Sequence, residues 1–232
     1  MPLPTIAVPK YPITIPSTKK ETFFRPFLVK EQKILLMALE SKDTIHMMKA
    51  MCSIIENCTD GIVNPQEMPL FDVEYIFAKI RAKSIGESIE VKSTCPSCDS
   101  KTSLTIEIDS IEVKFPEGIT NKIMLTDKLG IILKYPSLSD SIVDMESTAD
   151  GAVEFVCNSI DVVFDSASTY NRKDFTPSEI LTFVESLDGK QFEQITEFYK
   201  NLPQLNKTIE CKCLNCNHEY VVDFRGLQDF FT

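Results

Sequence analysis

The chain has 232 residues, 43% of them hydrophobic and 25% charged, which suffices for one large domain or two small ones with a core that needs no disulfides. Its 24 basic and 34 acidic residues leave a net charge of −10, which repels phosphate backbones and disfavours nucleic acid as a general partner. No apolar run reaches membrane-span length, and a start with four prolines in 12 residues is no secretion signal. The protein is therefore expected to be intracellular, with its eight cysteines reduced or holding metal.

In chain order, residues 1–10 read as an extended arm, because Pro2, Pro4 and Pro9 remove backbone donors and favour polyproline-like geometry. A frayed terminus is the competing reading. Residues 11–27 read as a β-hairpin. Ile13 and Ile15 alternate with polar positions, Ser17 to Lys20 turn the chain, and Thr22 to Phe27 return. Pro12, Pro16 and Pro26 mark edge strands or strand ends, so this hairpin offers edges that can pair with a partner strand.

Helices follow. Val29 to Leu39 places Ile34, Leu35, Leu36 and Leu39 on a broad apolar face. Ser41 or Asp43 caps a second helix that runs through Met47, Met48, Met51 and Ile55 and ends at Asp60-Gly61. The methionines read as core in preference to a docking surface. Pro69 starts a third helix with Phe71, Val73, Ile76, Phe77 and Ile80 at helical spacing. Residues 88–92 and 102–108 alternate as strands, and 113–115, 122–125 and 130–134 as shorter ones. Residues 137–164 read as helical, with Val153, Val156, Cys157 and Ile160 on one face, and residues 165–175 as a polar loop.

Thr176-Pro177-Ser178-Glu179 has the form of a capping box with proline in the first turn, opening a helix to about Leu187. A further helix covers Lys190 to Asn201. Strands are expected over Thr208 to Lys212 and His218 to Asp223, and a short helix over Gly226 to Phe231.

The chemistry lies in two C-x-x-C motifs, Cys95-Pro96-Ser97-Cys98 and Cys213-Leu214-Asn215-Cys216, each flanked by strand-like sequence. Two intervening residues let a tight turn aim both sulfurs at one ion while backbone amides bond to the thiolates. One motif alone is weak; two with matching flanks specify a four-thiolate zinc ribbon whose halves are separated by about 115 residues. A closed four-thiolate shell leaves no open position, so the zinc is read as structural. Cys211 is the less favoured alternative to Cys213, because its spacing to Cys216 is less typical. His218 is a further candidate in a position that commonly faces solvent. Redox chemistry lacks a thioredoxin-like βαβ context, and Cys52, Cys58 and Cys157 read as small core residues.

These elements make the fold α+β. Residues 1–27 form an arm and hairpin, 28–86 a helical segment, and 87–109 with 207–232 a zinc-ribbon-like module and C-terminal helix. Residues 110–206 form a mostly helical insertion. No phosphate-binding or nucleophile motif occurs, and only two histidines and seven glycines are present, so no catalytic residue and no small-molecule substrate are assigned. A zinc-ribbon nucleic-acid-binding accessory factor is the alternative, disfavoured because the cysteines are not set in basic sequence.

The layout resembles the baseplate hub and hub-assembly proteins of T-even-like contractile-tailed phages. The resemblance rests on Lys10-Tyr11, Pro16-Ser17, Arg25-Pro26-Phe27, Val29-Lys30-Glu31 and Met37 to Ser41, on both cysteine pairs, and on the ending GLQDFF. Between residues 110 and 206 it touches only the TPSE helix start. It implies a viral late protein, made in the bacterial cytoplasm, that works without catalysis on other baseplate hub proteins and has a place in the virion tail. Whether it is a hub subunit or a hub-assembly factor stays open, as do the partner-binding residues. The arm, residues 1–16, and Phe230 and Phe231 are candidate contact surfaces, with packing on the chain's own ribbon as the competing reading of the two phenylalanines.

Overall fold

The computed structural model describes residues 6–41, 43–118, 120–137 and 149–226. The fold is α+β, with small antiparallel sheets and helices in two units: Met1–Lys114 with Gln204–Thr232, and Phe115–Pro203. The expected helix over 226–231 beyond Gly226, with Phe230 and Phe231, residues 138–148 of the expected 137–164 helix, and the arm's first five residues lie outside the described residues.

Unit 1 opens with the hairpin of β1 (Tyr11–Thr14) and β2 (Glu21–Phe24), in which Tyr11 faces Phe24 and Thr14 faces Glu21. Three helices follow: α1 (Val29–Ser41), α2 (Thr44–Cys58) and α3 (Leu70–Ser84). Asp43 caps α2 by accepting from the Ile45 and His46 N–H groups at 2.8 and 3.4 Å. At the other end Asp60 and Gly61 take positive φ, and the Gly61 N–H closes back on Glu56 O at 2.9 Å. Helix α3 buries all five expected apolar residues, Phe71, Val73, Ile76, Phe77 and Ile80. Met51 is buried and Met47 packs against the same core, as expected of core methionines, whereas Met48 is only half-buried and outside that cluster.

Helix α1 departs from the expected apolar face. Of Ile34, Leu35, Leu36 and Leu39 only Leu35 is buried, and Leu36 and Leu39 are 53% and 50% exposed. The buried positions are Glu31, Leu35 and Ala38, a narrow i, i+4, i+7 stripe. Glu31 enters the core because Arg25, at the end of the hairpin, reaches it with Nη2–Oε1 at 2.9 Å, while the Leu28 N–H donates to its other oxygen at 2.8 Å. Burial alone would raise the Glu31 carboxyl, but the Arg25 bond, the Leu28 N–H and the Arg25 and Lys30 charges outweigh it and hold it below its usual range.

The same hairpin is tied down elsewhere by residues that carry the family resemblance. Lys10 pairs with Asp60 at 2.7 Å, Ser17 donates from both its N–H and its hydroxyl to the buried Asp72 of α3, and the Phe27 N–H donates to Ser84 Oγ at 2.9 Å. Those motif positions are therefore the latches of the hairpin onto the helices.

Two longer hairpins complete unit 1. Strands β3 (Ser88–Thr94) and β4 (Lys101–Glu107) pair along their full length. Strand β5 (Glu112–Lys114) and, from the far end of the chain, β10 (Gln204–Lys212) and β11 (Glu219–Arg225) form a three-stranded sheet in the order β11-β10-β5. Gln204 lies opposite Lys114, so the chain leaves this sheet and re-enters it at paired positions. Strand β10 begins before the expected Thr208 because its first three residues have β5 to pair with.

Unit 2 carries the four-stranded antiparallel sheet β6 (Lys122–Met124), β7 (Gly130–Leu133), β8 (Ile160–Phe164) and β9 (Thr169–Asn171), in that order. Its helices are α4 (Ala149–Ser159), α5 (Pro177–Glu185) and α6 (Gly189–Lys200). Residues 160–164 are strand, not the expected helix, because their run of β-branched and aromatic residues is gripped between β7 and β9. For the same reason residues 169–171 leave the expected polar loop to pair with β8. The Thr176 capping box forms as expected, with Glu179 Oε2 accepting from the Thr176 N–H at 2.7 Å. A second box at Asp188 and Gln191 opens α6, and Gln191 Nε2 also donates to Leu125 O at 3.0 Å. The core gathers Ile131, Leu133, Val156, Cys157, Ile160, Ile180, Val184, Ile195, Phe198 and Tyr199.

Candidate metal centre

The hairpin tips that carry the cysteines are built alike. Thr94 pairs with Lys101 at the mouth of one, and Lys212 with Glu219 at the mouth of the other. In the first the Cys95 N–H donates to Ser100 O at 2.9 Å and the Asp99 N–H to Cys95 O at 3.0 Å. In the second the Cys213 N–H donates to His218 O at 2.9 Å and the Asn217 N–H to Cys213 O at 3.0 Å. Asp99 and Asn217 both sit at φ 55°, the left-handed region that Asp and Asn tolerate better than most residues. The β1–β2 turn repeats the pattern, with the Ile15 N–H on Lys20 O, the Lys19 N–H on Ile15 O, and Lys19 at φ 57°. The turn is thus a general solution in unit 1, and the thiols make two of its three copies chemically distinct.

The Sγ atoms of Cys95, Cys98, Cys213 and Cys216 lie within 4.8 Å of one another. Cys95 is 3.7 Å from Cys216, and Cys98 is 3.6 Å from Cys213, so each close pair crosses between the tips. A tetrahedron with metal–sulfur bonds of about 2.3 Å has sulfur–sulfur edges of about 3.8 Å. The donor set therefore has the composition and the spacing of a closed tetrahedral site. No disulfide joins these cysteines.

Two side chains tie the tips reciprocally. Ser100 Oγ, on the first, is 3.1 Å from both Cys98 and Cys213 Sγ, and Asn215 Nδ2, on the second, donates to Cys98 Sγ at 3.6 Å. The Ser97 N–H donates to Cys95 Sγ at 3.5 Å. The Ser100 hydroxyl, then the Cys216 and Asn215 N–H groups, draw the Cys213 thiol down to about 6. The Ser100 hydroxyl and N–H, then Asn215, lower Cys98. Cys216 moves to about 11: the His218 N–H acts downward, but the neighbouring Cys98, the desolvation beside the other tip, Cys213 and Cys95 outweigh it. Negative charge crowds here faster than the protein's own donors can absorb it, and a divalent cation is the group that would let all four sulfurs ionise together.

Cys211 stands outside the cluster. It lies in β10 opposite Tyr220, buried, with its thiol directed at Ile209 O at 3.6 Å. His218 also stands outside it; its ring stacks on Tyr220 and only its backbone serves the tip. Cys52, Cys58 and Cys157 are buried, as expected of core thiols, and burial raises all three, Cys58 to about 11. Ser100 and Asn215 were not singled out by sequence; the only signal was a hydroxyl two residues past one motif and an amide inside the other. Among the described residues no other group of three or more His, Cys, Asp or Glu side chains has metal-ligand spacing.

The two hairpins behind the tips are amphipathic. Ile89, Val91, Ile106 and Phe224 are buried in the core of unit 1, with Leu104, Ile209 and Val222 packed against it. The outward positions mix charges: Glu90, Lys92 and Lys101 on the first hairpin, and Glu210, Lys212, Glu219, Asp223 and Arg225 on the second.

A family model described as T4 bacteriophage base plate protein matches residues 8–232. No curated protein and no solved structure matches the chain. The match spans both units, and the chain belongs to the T4 bacteriophage base plate protein family.

Proposed function

We propose that this base plate protein works in the baseplate hub, the central part of the tail tip, as a hub subunit or as a factor that helps the hub form. It acts by contacts with other hub proteins and catalyses no reaction. The family match over residues 8–232 carries this reading. It implies synthesis and assembly in the host cytoplasm and a place in the virion tail for a retained subunit. No helix among the described residues is long and apolar enough to cross a membrane.

Cys95, Cys98, Cys213 and Cys216 hold one structural zinc ion in this reading. Zinc would supply the positive charge that the four thiolates lack and join hairpins about 115 residues apart in sequence. The mixed charges on the outward faces of both hairpins give no basic surface for a nucleic-acid backbone.

Quantitative mass spectrometry of purified phage particles and of infected cells tests the role. A fixed copy number per particle makes the protein a hub subunit; absence from particles with abundance in infected cells makes it an assembly factor. Failure to find it in complex with any hub protein in infected cells would reject both.

A further inference from the structure

Strand β1 has a free edge, and its backbone chemistry can be read from the turn. The Ile15 N–H bonds to Lys20 O at 2.9 Å, and in the same register Ile13 faces Thr22 and Tyr11 faces Phe24. Bonded and non-bonded pairs alternate along an antiparallel ladder. Tyr11, Ile13 and Ile15 therefore direct their backbone groups at β2, and Pro12 and Thr14 direct theirs outward. The rule holds on the other side of the hairpin: Arg25, an outward position following β2, donates its N–H to Cys58 O at 2.9 Å, so the end of α2 closes that edge. The sheet has only these two strands, and among the described residues no hydrogen bond reaches the outward groups of Pro12 or Thr14. Proline lacks a donor, so the edge offers an acceptor at Pro12 and a donor with an acceptor at Thr14.

A cavity of about 490 Å³ lies beside β1. All four β1 residues line it with Glu21 and Phe24 of β2, and Tyr75, Lys79 and Lys83 of α3 and Asp109 complete the lining. Four strand residues span about 13 Å, which is the length of partner backbone this edge can engage.

Charge selects the occupant. Lys79 already donates to Ile108 O and Asp109 O at 3.3 and 3.0 Å, and Lys83 pairs with Glu87 and, at 3.6 Å, with Asp109. With Glu21 also on the lining, cations and anions balance here, in a chain whose net charge is −10. An acidic side chain would have to displace a pair that Lys79 or Lys83 already makes, and a basic one would meet those two lysines with only Glu21 of the lining carboxylates outside an ion pair among the described residues. A helix has satisfied its backbone internally and brings nothing to Pro12 or Thr14. An uncharged extended segment brings what is missing: an N–H for each carbonyl and a carbonyl for the Thr14 N–H.

We infer that the free edge of β1, with the cavity beside it, docks an uncharged, extended segment of a partner protein, which adds to the hairpin as a third, antiparallel strand. One residue opposite Thr14 exchanges both bonds with it, and Pro12 limits the register on the other side. The edge would accept such a strand whether or not the protein works in the hub, so this docking and the hub role fail in separate experiments.

The test is a titration of the ¹⁵N-labelled full chain with the blocked peptide acetyl-Thr-Val-Thr-Val-Thr-amide. The expected result is a leading shift of the Thr14 amide, with shifts at Tyr75, Lys79 and Lys83. The same peptide N-methylated at every backbone nitrogen, with its terminal amide dimethylated, presents no backbone donors on either edge and should bind at least about tenfold more weakly. Thr14→Pro should weaken the unmodified peptide by a similar factor with its melting temperature retained. The methylated peptide needs no variant, so the inference stays testable if Thr14→Pro folds poorly. Equal binding of both peptides, shifts away from β1 and α3, or no Thr14 shift at about 10 mM peptide, the weak end of peptide affinity, would overturn it.

Discussion

Unit 2 is one uninterrupted stretch, residues 115–203, whose helices α5 and α6 each start at a reciprocal capping box and whose core is almost wholly apolar. Unit 1 is made of two stretches that meet after a long excursion, and it buries charge: Glu31 and Asp72 are 1% and 0% exposed. Its closing strands, β10 and β11, come from the far end of the chain, and its four-sulfur cluster takes two thiols from each stretch. Local signals suffice where neighbours in sequence are neighbours in space. Where they are not, loop-closure entropy must be offset by interactions specific to the closed state.

The most severe way to break that contrast is to remove the proposed zinc cross-link. Cys95→Ser and Cys216→Ser should each abolish binding of one zinc per chain and remove the cooperative melting of unit 1. Structural zinc in small domains carries an apparent binding free energy of about 10–16 kcal/mol that is coupled to folding. Elemental analysis with amide exchange reads metal and each unit separately. Retention of one zinc per chain and a normal melt in both variants would exclude this ligand set.

Breaking the Arg25–Glu31 pair comes next. Arg25→Met leaves the Glu31 carboxylate buried without its cation and should cost about 3–5 kcal/mol, all in unit 1. The pH dependence gives the sign. Glu31 has a folded value below the ordinary 4.5, so its stabilisation is complete above pH 4.5 and is lost as pH falls through the folded value. Asp72 works oppositely. Burial raises it above 3.8 despite the Ser17 donors, so its ionised form costs stability, and that cost is relieved as pH falls from its folded value toward 3.8. Glu31→Gln should therefore flatten the acid limb of a urea-midpoint profile, and Asp72→Asn should steepen it. The reverse pattern would mean that these carboxyls are not set by the contacts described.

In unit 2 the tightest point is Gly130. A Cβ there would run into Phe164 Cζ on the paired strand and lie 2.9 Å from Met124 Sδ. Gly130→Ala should cost about 1–3 kcal/mol by overpacking, seen as faster amide exchange in β7 and β8. An unchanged exchange pattern would show that the Phe164 ring moves aside freely.

The same contrast explains what the sequence revealed. Cys95, Cys98, Cys213 and Cys216 were legible because thiols at knuckle spacing between strands have few other uses. The Thr176 box was legible because capping is decided within four residues. Glu31 was not legible as a core residue, since a glutamate reads as surface until Arg25 folds back onto it. Residues 160–164 misread because a short apolar run continuing a helix has no period of its own, and its state is set by β7 and β9. The exposed side of α1 misread because counting apolar residues does not say which of them find a partner. Ser100 and Asn215 were invisible as thiolate donors because serine and asparagine are ordinary turn residues.

The smallest effect tests the local half of the comparison most directly. Thr176 accepts from the Glu179 N–H at 3.3 Å, and Glu179 Oε2 accepts from the Thr176 N–H and hydroxyl at 2.7 and 2.8 Å. Those bonds hold Glu179 below its ordinary range through the Thr176 N–H first and the hydroxyl second. Thr176→Ala removes the side-chain half and should cost about 1 kcal/mol, whereas Thr176→Ser should be nearly neutral. If the box acts as a reciprocal pair, Glu179→Ala in the Thr176→Ala background should cost less than in the wild type. Strict additivity would mean that α5 is held by burying Ile180 and Val184, and that unit 2, like unit 1, owes its stability to its core more than to its local signals.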